Sequence, residues 1–353
     1  MGNLLAMDAL LERRAGAGDR EAQRALGCRY EHAGRHDLAR GWFARAAQTG
    51  DAVALRLLAV NLLTETPIAA ADGIGMLRSA AERGDAEALT LCAAVAAQDR
   101  DLASNWLVAR DYLVRAAEHG SQDAIGQLRV LAGDAACTSP MALARKIDFA
   151  RWLAPAPSRG VHETPRILIA EGFAQAAECD WLIARGRGRL KPSEIYDPAS
   201  GRGLRAGEIR SNSAAAFNIA QSDVVLALLR ERIARAVGIA TGGLEPAMLL
   251  HYATGEQFAP HYDFIDPEVP GFAEGIARSG QRVATFLLYL SDAHEGGETE
   301  FVDLGWRHRG AKGDALIFWN VGPDGLPDRR TLHAGLAPTH GEKWLLSQWI
   351  RGQ

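Results

Sequence analysis

The chain reads as an α + β multidomain protein: an N-terminal α-helical repeat solenoid, then an all-β sandwich or barrel with flanking helices. Three observations predict this. The 353 residues exceed an ordinary single domain. A glycine-centred phrase recurs through the alanine-rich first part at steps of 32, 34 and 36 residues, a helical-hairpin period. In the second half, apolar residues gather into short runs of strand length, punctuated by Gly, Pro and Asp.

The repeated phrase occupies residues 46–54, 80–88 and 116–124, with a degenerate copy at 15–22. Its glycines are Gly18, Gly50, Gly84 and Gly120, followed by Asp19, Asp51, Asp85 and Ser121. Glycine ends one helix in a left-handed cap, and the next residue caps the following helix. Leu26, Leu58, Cys92 and Leu128 stand four residues past the last alanine of each copy, on that alanine's helical face. The pattern resembles Sel1-like repeats, relatives of the tetratricopeptide repeat, most clearly over 39–51, where Trp42-Phe43 precede Ala46-Ala47. Residues 65–72 and 98–104 depart from it in length and composition, which leaves the repeat count open. Ser139 and Pro140 suit N-cap and N1 of one further helix running to Leu153, and Pro155 and Pro157 stop it. The boundary is set there: residues 1–157 as helical repeats plus linker helix, 158–353 as the second domain.

In that domain residues 166–169 read as a short strand and 173–185 as a helix. Residues 195–207, rich in Gly, Pro and Asp, read as a mobile loop. Residues 224–237 form an amphipathic helix bearing Arg230, Glu231 and Arg235 on its polar face. Strand-like runs follow at 248–252, 257–263, 282–291, 298–302, 314–319 and 343–351. Two long segments, 196–213 and 266–280, are expected to cover a site as lids.

The chemistry is carried by His261 and Asp263, two apart in His-Tyr-Asp, and a distant His333. On a strand, residues i and i+2 point the same way, so His261 and Asp263 would aim at one spot. Two imidazoles and one carboxylate on one face of a metal leave coordination positions open, as non-haem Fe(II) oxygenases require. The motif alone is weak, but its surroundings are ordered: Arg210-Ser211, Tyr252, Gln281-Arg282, 296–301 (Gly-Gly-Glu-Thr-Glu-Phe), Lys343-Trp344 and Trp349. From about residue 165 to the end, the chain resembles the prolyl 4-hydroxylase alpha-subunit-like branch of the Fe(II)/2-oxoglutarate-dependent dioxygenases. The resemblance implies a double-stranded β-helix, or jelly-roll, with iron in its mouth.

It also implies the roles. His261, Asp263 and His333 would hold Fe(II) and form the catalytic centre, with 2-oxoglutarate and O2 as co-substrates and ascorbate as reductant. Lys343, ten residues past His333, would anchor the far carboxylate of 2-oxoglutarate, helped by the hydroxyls of Tyr252 and Thr299, with Trp349 lining the pocket. Arg282 matches a substrate-side arginine of peptide prolyl hydroxylases. Phe258 stands on the substrate side where those enzymes often carry a tyrosine, and Arg351 where a histidine lies. The implied reaction is hydroxylation of a C–H bond with 2-oxoglutarate decarboxylated to succinate and CO2. The expected target is a peptidyl proline, docked by the repeats, with a free amino acid or small metabolite as the alternative. A non-enzymatic repeat scaffold is the competing class, but neither a metal ligand nor the lysine anchor is lost.

Composition narrows the field further. With 39 Lys+Arg against 43 Asp+Glu, a net charge of −4 leaves no footprint for a phosphate backbone, so nucleic acid is not expected as a partner. Nucleic-acid demethylases of the superfamily also anchor 2-oxoglutarate with arginine rather than lysine, and its halogenases lack the carboxylate that Asp263 supplies. The apolar run 52–63 is interrupted by Arg56 and Asn61, so no membrane span is expected. Without a cationic leader the chain is expected to be cytoplasmic. Cys28, Cys92, Cys137 and Cys179 form no Cys-x-x-Cys and read as buried small residues in a reducing compartment. His251, His294, His308 and His340 fall outside the metal pattern.

Overall fold

The computed structural model describes residues 2–65, 70–98, 105–197, 202–205, 209–218, 220–269 and 271–352. It divides into two compact units, Met1–Phe149 with Ile219–Ala227, and Ala150–Asn218 with Leu228–Gln353.

The first unit is built on one local rule. Helices Gly2–Gly16 and Arg20–His32 form a hairpin, followed by His36–Gln48 with Ala52–Glu65, Ala70–Glu82 with Ala86–Gln98, and Asn105–Glu118 with Gln122–Ala132. Gly18, Gly50, Gly84 and Gly120 take φ between 85° and 93°, a region closed to most side chains. At each of these turns the residue after glycine donates its N–H to the carbonyl five back: Asp19 to Arg14, Asp51 to Ala46, Asp85 to Ala80, Ser121 to Ala116. The same residue then caps the next helix, accepting from the N–H of Ala22, Ala54, Ala88 and Ala124. The last alanine of each copy, Ala22, Ala54, Ala88 and Ala124, is buried, as are Leu26, Leu58, Cys92 and Leu128.

The caps also join successive hairpins. Arg24 reaches Asp51 (2.5 Å), Arg56 reaches Asp85 (2.9 Å), and in the last step Thr90 meets Ser121 (3.0 Å). Where the cap changes from aspartate to serine, its partner changes from arginine to threonine. The departing segments at 65–72 and 98–104 lie partly outside the described residues.

The linker differs from expectation. Ser139 Oγ caps Ala142 as predicted, but the helix breaks into Pro140–Lys146 and Phe149–Trp152. β-Branched Ile147 takes extended dihedrals, φ −71° and ψ 117°, at the break. Cys92 and Cys179 are buried, whereas Cys28 and Cys137 are only partly so, and all four thiols are free. Among the described residues, no helix is long and apolar enough to cross a membrane.

The second unit is a jelly-roll of antiparallel strands. Its larger sheet runs in the order Arg159–Glu163, Arg166–Ala170, Ala315–Trp319, Arg282–Tyr289, Lys343–Arg351, Met248–Tyr252, Ser213–Ala216, Lys191–Pro192. Its smaller sheet runs Trp306–His308, Thr299–Phe301, His333–Gly335, Phe258–His261. Phe301 of the smaller sheet meets Phe318 of the larger edge-on at 5.1 Å, within a core that includes Ile167, Leu287 and Leu345. Helix Ala176–Arg187 packs against the strands Ser213–Ala216 and Met248–Tyr252.

Several elements depart from the sequence reading. Pro338–Gly341, outside the strand-like runs read from the sequence, forms a strand paired with His294–Gly296. In the expected mobile loop 195–207, the described parts pair as the hairpin Glu194–Asp197 with Arg202–Arg205; the remainder of that segment, and much of the lid expected at 196–213, lies outside the described residues. The other expected lid contains the helix Phe272–Ser279, and none of its residues is buried.

Candidate active site

His261 ends the strand Phe258–His261, His333 opens His333–Gly335, and the two are register partners. Their ring centroids lie 4.2 Å apart. Asp263 falls past the end of its strand, so the alternation of a single strand does not carry it. The turn that follows still brings its carboxylate to 3.7 Å from His261 Nε2 and 3.5 Å from His333 Nε2. The three ligand atoms lie within 4.8 Å of one another, a spacing that one cation can bridge with open positions remaining. Among the described residues no second group of this kind occurs.

Each ligand atom is oriented by a neighbour. Nδ1 of His261 donates to the Ala259 carbonyl (2.8 Å), and Nδ1 of His333 to that of Thr331 (3.0 Å). A carbonyl only accepts, so the proton sits on Nδ1 and Nε2 keeps its lone pair for a metal. Burial pushes the His261 imidazole down to about 3, which leaves it neutral. Burial opposes charge on Asp263, but the two facing imidazoles and the Thr285 hydroxyl outweigh it and hold the carboxyl below its ordinary value. Thr285 Oγ1 donates to Asp263 Oδ2 (2.8 Å) and accepts from Asn320 Nδ2 (3.0 Å).

Beside this group opens a cavity of about 460 Å³, its open mouth included, lined by Tyr252, Thr299, Lys343 and Trp349. Lys343 begins the long strand Lys343–Arg351 opposite Tyr252 and is fully buried, yet its Nζ has no hydrogen-bond partner. Burial pushes its ammonium down to about 7. A buried lysine without a partner is costly, and an arriving carboxylate would relieve that cost. The donor set fits 2-oxoglutarate on this observation. Thr299 Oγ1 and the Tyr289 hydroxyl are hydrogen-bonded at 2.9 Å. Burial raises Tyr252 to about 12, so its phenol keeps its proton. The indole Nε1 of Trp349 is buried and unpartnered.

The residues expected on the substrate side form two groups. Phe258 lies parallel to the His261 ring at 3.5 Å, and the Arg210 guanidinium sits 4.4 Å from the Phe258 centroid. Arg282 grips Glu245 with two hydrogen bonds of 2.7 and 2.9 Å while stacking 3.8 Å over Trp349. Arg351 bonds the same carboxylate at 2.7 Å. The other histidines lie elsewhere. His251 packs on Trp344, His308 on Trp306, and His340 is exposed near Glu295. His294 is buried without a hydrogen-bond partner on either ring nitrogen.

Thr285, Asn320 and Glu245 were not anticipated from the sequence. A polar residue inside the apolar run 283–290 was a signal available for Thr285; nothing local marks Asn320 or Glu245.

Residues 247–351 match the 2OG-Fe(II) oxygenase superfamily. Prolyl 4-hydroxylase 1 of Arabidopsis thaliana is 32% identical over 203 residues, which cover 53% of this chain and 69% of the relative. Probable prolyl 4-hydroxylase 9 of the same plant is 35% identical over 212 residues, covering 54% and 69%. Among solved structures, the viral collagen prolyl hydroxylase of Paramecium Bursaria Chlorella virus-1, in its 2OG complex, aligns at 27% identity and TM-score 0.42. That alignment covers 55% of this chain and all (100%) of the viral one. The metal-sized His-Asp-His group, the buried lysine beside it and this extent of identity lead to one conclusion: the chain belongs to the prolyl 4-hydroxylase family of the 2OG-Fe(II) oxygenase superfamily, and is an Fe(II)- and 2-oxoglutarate-dependent dioxygenase.

Proposed function

We propose that the enzyme hydroxylates a prolyl residue of a protein or peptide, with His261, Asp263 and His333 holding Fe(II). Lys343, Thr299, Tyr252 and Trp349 hold 2-oxoglutarate. The observation that carries this reading is the buried Lys343 Nζ, over the Tyr252 ring but without a hydrogen-bond partner, in the same cavity as the three ligand atoms. Fe(II) with 2-oxoglutarate supplies the oxidising chemistry: one oxygen atom of O2 leaves in succinate, CO2 is released, and the other atom enters a C–H bond. The protein's part is positional. His261 and His333 present Nε2 because backbone carbonyls hold their Nδ1 protons, and Thr285 fixes the rotation of Asp263. Lys343 supplies positive charge from a fully buried position, where the interaction is strong. Prolyl residues are the target because the relatives carry that activity in their names.

Two arms test this. Anaerobic titration of the full chain with Fe(II) and 2-oxoglutarate is expected to give a weak visible charge-transfer band; its absence in folded protein sinks the metal and co-substrate assignment. Incubation of the aerobic enzyme with cell extract is expected to place +16 Da on prolyl residues, and modification confined to free amino acids transfers the activity to the small-molecule reading. The replacement of tyrosine by Phe258, whose ring is occupied by His261 and Arg210, supports that second reading.

The repeats are proposed to recruit the protein substrate, since stacked helical hairpins form extended binding surfaces. Leu38 and Leu107 are exposed on that half. Substituting both with Glu in the full chain should raise KM for a protein substrate while leaving turnover of a short peptide unchanged. An unchanged KM removes these two positions from any docking role.

A further inference from the structure

Arg210 is a cation in the pocket wall to which the reading above gives no work. Its Nε donates to Asn212 Oδ1 at 3.0 Å, and one terminal nitrogen reaches the Glu194 carbonyl only at the long distance of 3.5 Å. Among the described residues no carboxylate pairs with it. The contrast with the other arginines near the cavity is informative. Arg282 and Arg351 share Glu245, so two positive charges meet one negative charge there. Asp263 is engaged by the two imidazoles and the proposed metal. Glu245 is thus committed to those two arginines and Asp263 to the metal group, which leaves Arg210 without a carboxylate among the described residues.

A charge removed from water needs an opposite charge or a set of hydrogen bonds. Lys343 is matched by the far carboxylate of 2-oxoglutarate. Arg210 lines the same cavity and sits over the Phe258 ring, which stacks on His261. That contact and the Asn212 hydrogen bond hold the guanidinium, so the donors left over are held in place. A planar fork so held suits a carboxylate, and Phe258, the ring on which it rests, stands at a position expected on the substrate side.

We propose that Arg210 binds a carboxylate of the prime substrate, and that the substrate is an acidic peptide with Asp or Glu beside the reacting residue. The proposal rests on the hydroxylase reading of the site, but not on proline being the residue hydroxylated. The shared chemistry is a carboxylate, from a peptide side chain or from the free α-carboxylate of an amino acid, and the test separates the two.

The test uses the full chain loaded with Mn(II) and 2-oxoglutarate without oxygen. Binding is measured by calorimetry for end-capped peptides of one length in which proline is flanked by Glu, Gln or Lys. Alanine-for-proline versions and free proline complete the panel. The wild type is expected to favour the Glu peptide over the Gln peptide by roughly ten- to a hundredfold, the range for a hydrogen-bonded charge pair. Arg210→Gln should abolish that preference and Arg210→Lys restore part of it, while Mn(II) and 2-oxoglutarate affinities stay unchanged in both variants. The proposal is overturned by an equal Glu preference in Arg210→Gln, by no Glu preference in the wild type, or by no peptide binding at all. It is equally overturned if Arg210→Gln weakens 2-oxoglutarate itself, which would assign Arg210 to the co-substrate, or if only free proline binds. Equal binding of alanine and proline versions would instead strike the prolyl reading and leave the carboxylate site standing.

Discussion

The helical repeats and the jelly-roll meet the same need, satisfying polar groups at the ends of elements, in opposite ways. In the repeats the partners are close in sequence: Gly50 turns the chain, Asp51 donates to Ala46 and caps Ala54, all within nine residues. In the jelly-roll they are far apart: Asp263 is held by Thr285, 22 residues on, and Thr285 by Asn320, a further 35. A local rule can be repeated and tolerates variation, as the Thr90–Ser121 step shows. A long-range network is built once, and each member is needed. The comparison teaches where function can sit: geometry held by several distant elements is rigid enough to orient metal ligands, whereas the repeats offer surface.

The largest expected effect lies in the long-range half. Asp263→Ala should abolish coupled 2-oxoglutarate decarboxylation while circular dichroism stays unchanged, because a ligand leaves a site whose strands are held by other contacts. Activity near wild type would remove Asp263 from the metal set. Next, Lys343→Ala should weaken 2-oxoglutarate by about two orders of magnitude, as expected when one partner of a buried charge pair is lost. Fe(II) affinity should stay nearly constant, and an equal loss of both would make Lys343 structural.

Lys343 also predicts a pH dependence. Burial holds its ammonium near 7 before the co-substrate arrives, and a bound carboxylate favours the charged form. Affinity for 2-oxoglutarate should therefore be full below about pH 7 and fall by up to roughly tenfold per unit above it. Without co-substrate the sign reverses. Between that value and the ordinary 10.5 the unfolded chain binds the additional proton, so stability contributed by this group rises with pH. Calorimetry of binding and thermal melts across pH 6–9 read the two slopes, and a flat affinity profile would contradict the assignment.

Smaller effects sharpen the contrast. Thr285→Val removes the hydroxyl joining Asp263 to Asn320 and should weaken metal binding by about ten- to a hundredfold, the usual range for a partner behind a ligand. Asp51→Ala removes both a helix cap and the partner of Arg24. It should cost about 1–2 kcal/mol of stability in the repeats and leave Fe(II) and 2-oxoglutarate binding untouched. A loss of metal affinity there would break the separation between the local and long-range halves.

Most of the repeat architecture was legible because its signals are short-range. Glycine at positive φ, the capping residue after it and the alanine and leucine positions all follow from neighbouring backbone geometry. In the β half the long strands, such as 282–289 and 343–351, were legible as apolar runs. Thr299–Phe301, Trp306–His308 and His333–Gly335 have three residues each, too few for a period to show. The amphipathic helix Phe272–Ser279 was hidden because it is short and flanked by Gly271 and Gly280, which read as loop.

By itself the sequence determined the division into helical repeats and a β domain, the residue types offered to a metal, and the lysine that could meet a carboxylate. Those depend on side-chain chemistry and on contacts within a few residues. Tertiary structure alone decided that Asp263, past the end of its strand, faces His333 as well as His261. It also decided that Glu245 is shared by Arg282 and Arg351 while, among the described residues, no carboxylate pairs with Arg210. Such pairings join residues 20 to more than 100 positions apart, and the free energy that selects them arises only when the sheets close and exclude water.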